Sequence, residues 1–323
     1  MYKVLDTSHS TLLRYVKRQE RYDELLDACA KIVDEYRLQH PGGGLVKIYD
    51  YLRYVATAKE IIGISRDRFV RGMKARGRLL KLSPPRPKTT RSGSYRFDNQ
   101  TRGMIVEAPN QLWVSDTTYY LMRSGHWCYL TFVLDVFSRR IIGYATSDSL
   151  AADANVDALQ MAIETRGTPL LSRQDIKLVF HSDGGKQFSA EDFLGSLKQV
   201  NAQSSMCFVA QENAFAERVN GIIKGEFLAH WSQSRKSISK LRLSLAAAVD
   251  TYNTMRLHNS LPGKICPVDF EMKYAEDERC GYSVLVKEWI HDPYSSTDKF
   301  TGTNPQPESV SNTSLQQHKV NND

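Results

Sequence analysis

Asp116, Asp183 and Glu217 are the residues from which chemistry is most readily built. Asp116 sits among Trp113, Val114 and Tyr119 in a strand-like run, where an aspartate is disfavoured unless something rewards it. Asp183 closes the apolar run LVFHSD and is followed by Gly184 and Gly185, which let backbone approach a ligand closely. Glu217 lies on a long helical pattern in which Asn213, Glu217, Asn220 and Lys224 recur at helical spacing and project toward one side. Hard divalent cations take carboxylate oxygens. In-line displacement at phosphorus is served by two such ions about 4 Å apart that share ligands. Taken one at a time, the three acids have plainer roles: a strand irregularity, a helix-entry cap and a solvated helix face. Taken together, from two neighbouring strands and a facing helix, they describe a metal cage for phosphoryl transfer.

The elements that must position them follow from periodicity. Residues 112–122, 127–136 and 140–147 read as strands joined by tight turns. A helix over 152–164, a strand over 177–183, a helix over 190–200, a strand over 204–208 and a long helix over 212–231 come next, with another helix over 238–257. This is a mixed sheet flanked by helices. Upstream, helices are predicted over 8–38, 45–55 and 65–79, the last with Ser65 as N-cap. Two short helices, a tight connection and a basic second helix give a helix-turn-helix-like pattern. Residues 82–110 read as a basic linker and 295–323 as a polar, disordered tail.

Composition bounds the class. The chain has 323 residues, 43 Lys+Arg against 36 Asp+Glu and 41% hydrophobic residues, enough for about two domains with a substantial core. No apolar run reaches the ~20 residues of a spanning helix, and the five cysteines form no CxxC, so the expectation is a soluble, reduced, cytoplasmic protein. The charge is uneven: residues 1–103 hold 22 Lys+Arg and 11 Asp+Glu, and only Asp67 and Asp98 oppose the 12 basic residues between Arg66 and Arg102. Clustered basic charge is the footprint of a polyanion. Arg68, Arg71, Lys74 and Arg76 on the basic helix are the candidate DNA contacts.

The segments WVSDTTYY, WCYLTFVLDVFSRRIIGYATSD, LVFHSDGGKQFS and ENAFAERVNGIIKGEF together resemble the catalytic core of the DDE transposases of two-frame insertion sequences, relatives of retroviral integrases. YNTMRLHNSLPGKICPVDF (252–270) is similar to that family's C-terminal segment, and residues 40–79 to its helix-turn-helix segment. Two departures stand out: 33 residues separate Asp183 from Glu217 where the family usually has 35, and Glu212 stands where it usually has Asp.

The resemblance implies an α/β fold with an RNase H-like core, a mixed five-stranded sheet flanked by helices, behind a small all-helical helix-turn-helix-like region. The corresponding division is 1–39 N-terminal helical segment, 40–81 helix-turn-helix-like region, 82–110 linker, 111–235 catalytic core, 236–294 helical extension and 295–323 tail. It implies Asp116, Asp183 and Glu217 as catalytic metal ligands for two Mg2+ ions, with Mn2+ as substitute, and Lys224, Asn213 and Asn220 as DNA contacts. The expected partners are the element's terminal repeats and target DNA, further copies of the chain on that DNA, and an upstream-frame helix-turn-helix protein or fusion; the expected place of action is the nucleoid. Two rival functions stay open: an RNase H-like nuclease that does not join strands, and a decayed or domesticated DNA-binding protein without catalysis. Among other residues, His181 reads equally as a substrate contact or as a packed or hydrogen-bonded strand-end histidine, Asp135 as a turn residue orienting Arg139, Trp113, Trp127, Tyr119 and Phe132 as core rather than base-stacking platforms, and Arg256 and His258 as a solvated helix end by default, with a DNA-facing role as the alternative.

Overall fold

The computed structural model describes residues 8–55, 63–80, 97–149, 153–167, 177–208, 210–276 and 281–287. The expected tail, the first part of the expected linker and the turn at 56–62 lie outside the described residues.

Helix α1 (His9–Gln39) starts at Ser8, whose hydroxyl accepts from the Thr11 N–H at 3.2 Å. Its C-terminal half buries Leu26, Cys29, Ala30, Val33 and Tyr36, a stripe at three- and four-residue spacing. Helices α2 (Leu45–Tyr54) and α3 (Arg66–Ala75) close on that stripe through Ile48, Tyr49, Leu52, Phe69 and Met73. The α1–α3 contact is close: a Cβ on Gly72 would come within 2.5 Å of the Leu26 side chain.

Strands β1 (Ile105–Val106), β2 (Leu112–Leu121), β3 (Trp127–Asp135) and β4 (Ile141–Ser147) lead to helix α4 (Asp153–Arg166), strand β5 (Val179–Ser182), helix α5 (Glu191–Gln199) and strand β6 (Gln203–Met206). Five of these strands form one sheet in the order β4-β3-β2-β5-β6. The β2–β3 and β3–β4 pairs are antiparallel, and β5 and β6 run parallel to β2. This is the RNase H-like arrangement. Both faces are covered. Trp113, Val133, Ile142 and Phe180 face one core with residues of α4 and α5, while Val114, Leu130, Phe132 and Leu134 face another with helices α6 (Ala214–Ile222) and α7 (Ile238–Thr254). Burial on both sides explains why the strands read as nearly continuous apolar runs. At Gly143, α4 comes so near that an added Cβ would stand 2.0 Å from the Ala158 carbonyl oxygen.

Three features differ from the sequence expectation. The second half of the expected linker is part of the fold: β1 pairs with β7 (Val284–Leu285), and the Gln100 N–H donates to Ser205 Oγ at 2.8 Å. The expected helix over 212–231 is three pieces, a 3-10 turn at Ala210–Asn213, then α6, then a π-helical turn at Ile223–Leu228. A further helix, α8 (Pro267–Glu276), packs Phe270 and Tyr274 on Phe137, with centroids 5.5 and 4.9 Å away.

The π-helical turn carries the junction to the N-terminal helices. Glu226 accepts from His40 Nε2 at 2.8 Å, Lys47 Nζ at 2.7 Å, and Arg256 Nε and Nη2 at 2.8 and 2.9 Å. Its backbone carbonyl accepts from the Gly42 N–H at 2.7 Å, and a Cβ on Gly42 would lie 2.4 Å from Glu226 Cα. Only glycine lets the 40–44 loop approach this closely. His40 stacks on Phe227 with centroids 4.6 Å apart. Arg256 and His258, expected at a solvated helix end, are therefore buried. Among the described residues, no helix is long and apolar enough to cross a membrane.

Candidate active site

Strand β2 carries Asp116. The parallel register places Ser115 opposite Ser182, so Asp183, the next residue of the neighbouring chain segment, emerges beside Asp116. Helix α6, with the 3-10 and π-helical turns at its two ends, lies along the same strand and is fixed to it by a polar row: Asn213 Nδ2 donates to the Ser115 carbonyl at 2.9 Å, Asn220 Nδ2 to Asp116 Oδ2 at 2.8 Å, and Lys224 Nζ to Thr118 Oγ1. Glu217 belongs to this row and is exposed. Asn213 and Asn220, expected on a DNA surface, are 3% and 5% exposed with their amides turned to β2. They position the helix and Asp116, because the amide that would reach a phosphate is already committed to the strand.

The electrostatics show the acids acting on one another. Burial, then the charges of Asp183 and Glu217, push the Asp116 carboxyl up to about 7, against the opposing pull of the Thr117 N–H and Lys224. Burial also raises Asp183, while the Gly185 N–H, 3.1 Å from its Oδ1, opposes the rise. Cys207 beside them is pushed up to about 12 by burial and by Asp183, Glu212 and Asp116, which keeps it a thiol at neutral pH in the metal-free protein. His181 is held down to about 4 by burial, with Nδ1 on Ser205 Oγ at 2.9 Å, and so is a neutral packed histidine. Asp116, Asp183 and Glu217 offer only carboxylate oxygens, the donors a hard divalent cation takes. Repulsion that raises Asp116 is what such a cation would relieve. Among the described residues, no three His, Cys, Asp or Glu side chains stand as a ready-made metal cage.

Other expected residues fall as follows. Arg68, Arg71 and Lys74 lie on the exposed side of α3, whereas Arg76 is turned to α1, with Nε 2.6 Å from Asp27 Oδ1 and Nη2 donating to the Asp23 carbonyl. Asp135 is fully buried and caps its turn by accepting from the Phe137 and Ser138 N–H groups; its ion-pair partner is Arg166 at 3.1 Å, in place of the expected Arg139. Trp113 and Phe132 are core, while Trp127 is 49% exposed. One functional support was not foreseen. Glu212, just before α6, accepts from Arg102 Nε at 2.8 Å and from the Phe208 N–H at 2.7 Å, which ties the shortened loop to a stretch read as linker. Nothing local in the sequence pairs two residues so far apart.

Residues 106–211 and 199–265 each match an integrase core domain family. A transposase for the insertion sequence element IS629 of Shigella sonnei is 30% identical over 261 residues, covering 80% of this chain and 82% of that protein. The chain belongs to the insertion-sequence transposases. A putative transposase for the element IS986/IS6110 of Mycobacterium tuberculosis is 35% identical over 170 residues, 52% of this chain; the chain spans about three fifths, 59%, of that relative's length. Among solved structures, the catalytic core domain of the HTLV-2 integrase in complex with magnesium matches 51% of the transposase chain and 98% of its own, with 20% identity and a TM-score of 0.39.

Proposed function

We propose that this transposase cleaves DNA strands at the ends of its element and joins the freed 3′-OH to another phosphodiester, with Asp116, Asp183 and Glu217 as the catalytic carboxylates. The supporting observation is the row on α6. Asn213, Asn220 and Lys224 bind β2 on either side of Glu217, and the charges of Asp183 and Glu217 add to burial in raising Asp116, which supports the reading that the three carboxylates serve one site. Two divalent cations, held by these three side chains, would activate the attacking oxygen and stabilise the leaving one. Asn220 fixes the Asp116 carboxylate through Oδ2. Lys224 supplies a point charge about two helical turns from Glu217, suited to a flanking phosphate. Arg68, Arg71 and Lys74 give α3 a phosphate-binding face whose contribution falls with salt.

A plasmid bearing the element's ends, incubated with purified chain and Mg2+, tests this against Glu217→Gln. Joined or excised products from wild type, reduced by at least ~10³-fold in the variant, are expected. Nicks without joined products would favour a nuclease, and salt-dependent DNA binding without any Mg2+-dependent product would leave only a binding protein.

A further inference from the structure

A second charged site lies on the flank of α6 away from the row that faces β2. Lys47 from α2, Arg139 from the β3–β4 turn, Arg218 from α6, and Arg256 and His258 after α7 line a pocket of about 330 Å³, together with apolar Leu134, Phe215, Val219, Ile222 and Tyr252; no Asp or Glu lines it. Glu226 neutralises part of this charge through Lys47 and Arg256. That leaves two guanidiniums unmatched. Arg218 is exposed and has no carboxylate within ion-pair distance among the described residues. Arg139 lies over the Phe215 ring at 4.4 Å, and its Nη1 is shut off from solvent without a hydrogen-bond partner in the protein. It also sits at φ 62°, a left-handed conformation that a bulky side chain rarely adopts. Strain of this kind, kept at a turn that aims a cation into a pocket, points to a ligand.

We infer that this pocket binds a backbone phosphate of a DNA strand, through Arg139 and Arg218, on the opposite flank of the helix that carries Glu217. The exposed Arg218 presents its N–H groups to the phosphate oxygens in a fixed fork, and Arg139, over the Phe215 ring on the pocket wall, adds a second unneutralised charge. The apolar floor suits a deoxyribose, which a free anion would leave unused. Lys47 brings the N-terminal helices into the same contact, so a strand held here bridges the helical unit and the catalytic helix. The inference rests on the proposed reading of the chain as a DNA-cleaving transposase.

The test is fluorescence anisotropy of the full chain with a labelled duplex of the element's end, titrated over a salt series between about 50 and 200 mM. Arg218→Gln is expected to lower the slope of log K against log[salt] by about 0.9 and to weaken binding about eightfold at 0.1 M salt, uniformly across sequences. Arg218→Lys, which keeps the charge, should retain most of the slope. Arg139→Gln should behave like Arg218→Gln, with circular dichroism checking that its turn still folds. An unchanged slope in a folded Arg218→Gln protein overturns the site while leaving the DNA reading standing; a wild type that binds no duplex at low salt overturns that reading as well. Calorimetry with inorganic pyrophosphate is the second arm. Arg218-dependent binding of pyrophosphate, with the duplex slope unmoved, assigns the pocket to a free anion and overturns the DNA assignment.

Discussion

Replacing Glu226 by Gln keeps the shape of the junction between the N-terminal helices and the core but removes its anion. Four charge-assisted hydrogen bonds converge on this carboxylate, and two donors, His40 and Arg256, are 0% and 4% exposed. Each bond of this type contributes about 1.5–3 kcal/mol, though not additively. Removing one partner of a buried pair costs about 3–5 kcal/mol, because the other charge is left stranded. The Glu226 side chain retains 20% exposure, which lets water soften the loss, so about 3 kcal/mol is expected. At ~2–4 °C per kcal/mol for a chain of this size, the melting temperature should fall by ~6–12 °C near neutral pH. The pH dependence follows from two shifts of the same sense. His40, Lys47 and Arg256 hold the Glu226 carboxyl far below its usual 4.5 against the opposing effect of burial, so the stability it contributes is present above that value and lost as pH falls below it. Burial lowers His40 from its usual 6.5 despite Glu226, so the unfolded chain takes up that proton first, and acid again favours unfolding. The His40 tautomer agrees: Nε2 must carry the proton it donates to Glu226, and the neutral Nδ1 accepts from Tyr36 Oη at 2.9 Å. Wild type should therefore lose stability steadily from about pH 6.5 downward, with a shallower acid limb in Glu226→Gln. Differential scanning calorimetry across pH measures both. A melting temperature within ~2 °C of wild type at neutral pH, or an unchanged acid limb, would refute the reasoning.

Two further outcomes are expected. Gly143→Ala should lower the urea midpoint by an amount equivalent to at least ~2 kcal/mol, since its Cβ would enter the Ala158 carbonyl and the sheet cannot move off α4 without opening the core. In metal-free protein, Asp116→Asn should raise the melting temperature, because it removes a half-buried charge that Asp183 and Glu217 repel. An equal or lower melting temperature would show that the three acids do not share a site.

The central sheet was legible because its signals are local. Period-2 and apolar runs at 112–122, 127–136 and 140–147 became β2, β3 and β4 within a residue or two at each end. The recurrence of Asn213, Glu217, Asn220 and Lys224 at helical spacing foretold the row along α6 and its flanking turns. Its direction was not legible. Helical spacing says that side chains share a face, and only the packed sheet says that this face meets β2, which turns two expected DNA contacts into buried struts. The linker was misread for a similar reason. Residues 97–110 carry no strand-length apolar pattern, yet Arg102 finds Glu212 and Ile105 finds Leu285, partners more than a hundred residues away. Nor does propensity signal the π-helical turn at 223–228, which is held by contacts of Glu226 with three distant segments.

The parallel pairing of β2 with β5 also sets when the proposed site can form during synthesis. Strands β2 to β4 are joined by short turns and can pair as soon as they leave the ribosome, but β5 must wait for α4 to be made, and α6 for β6. A nascent chain that ends before Glu217 holds at most two of the three acids and has no helix to fix Asp116. The site proposed for this chain is thus completed only late in synthesis, once the segment that carries Glu217 has been made.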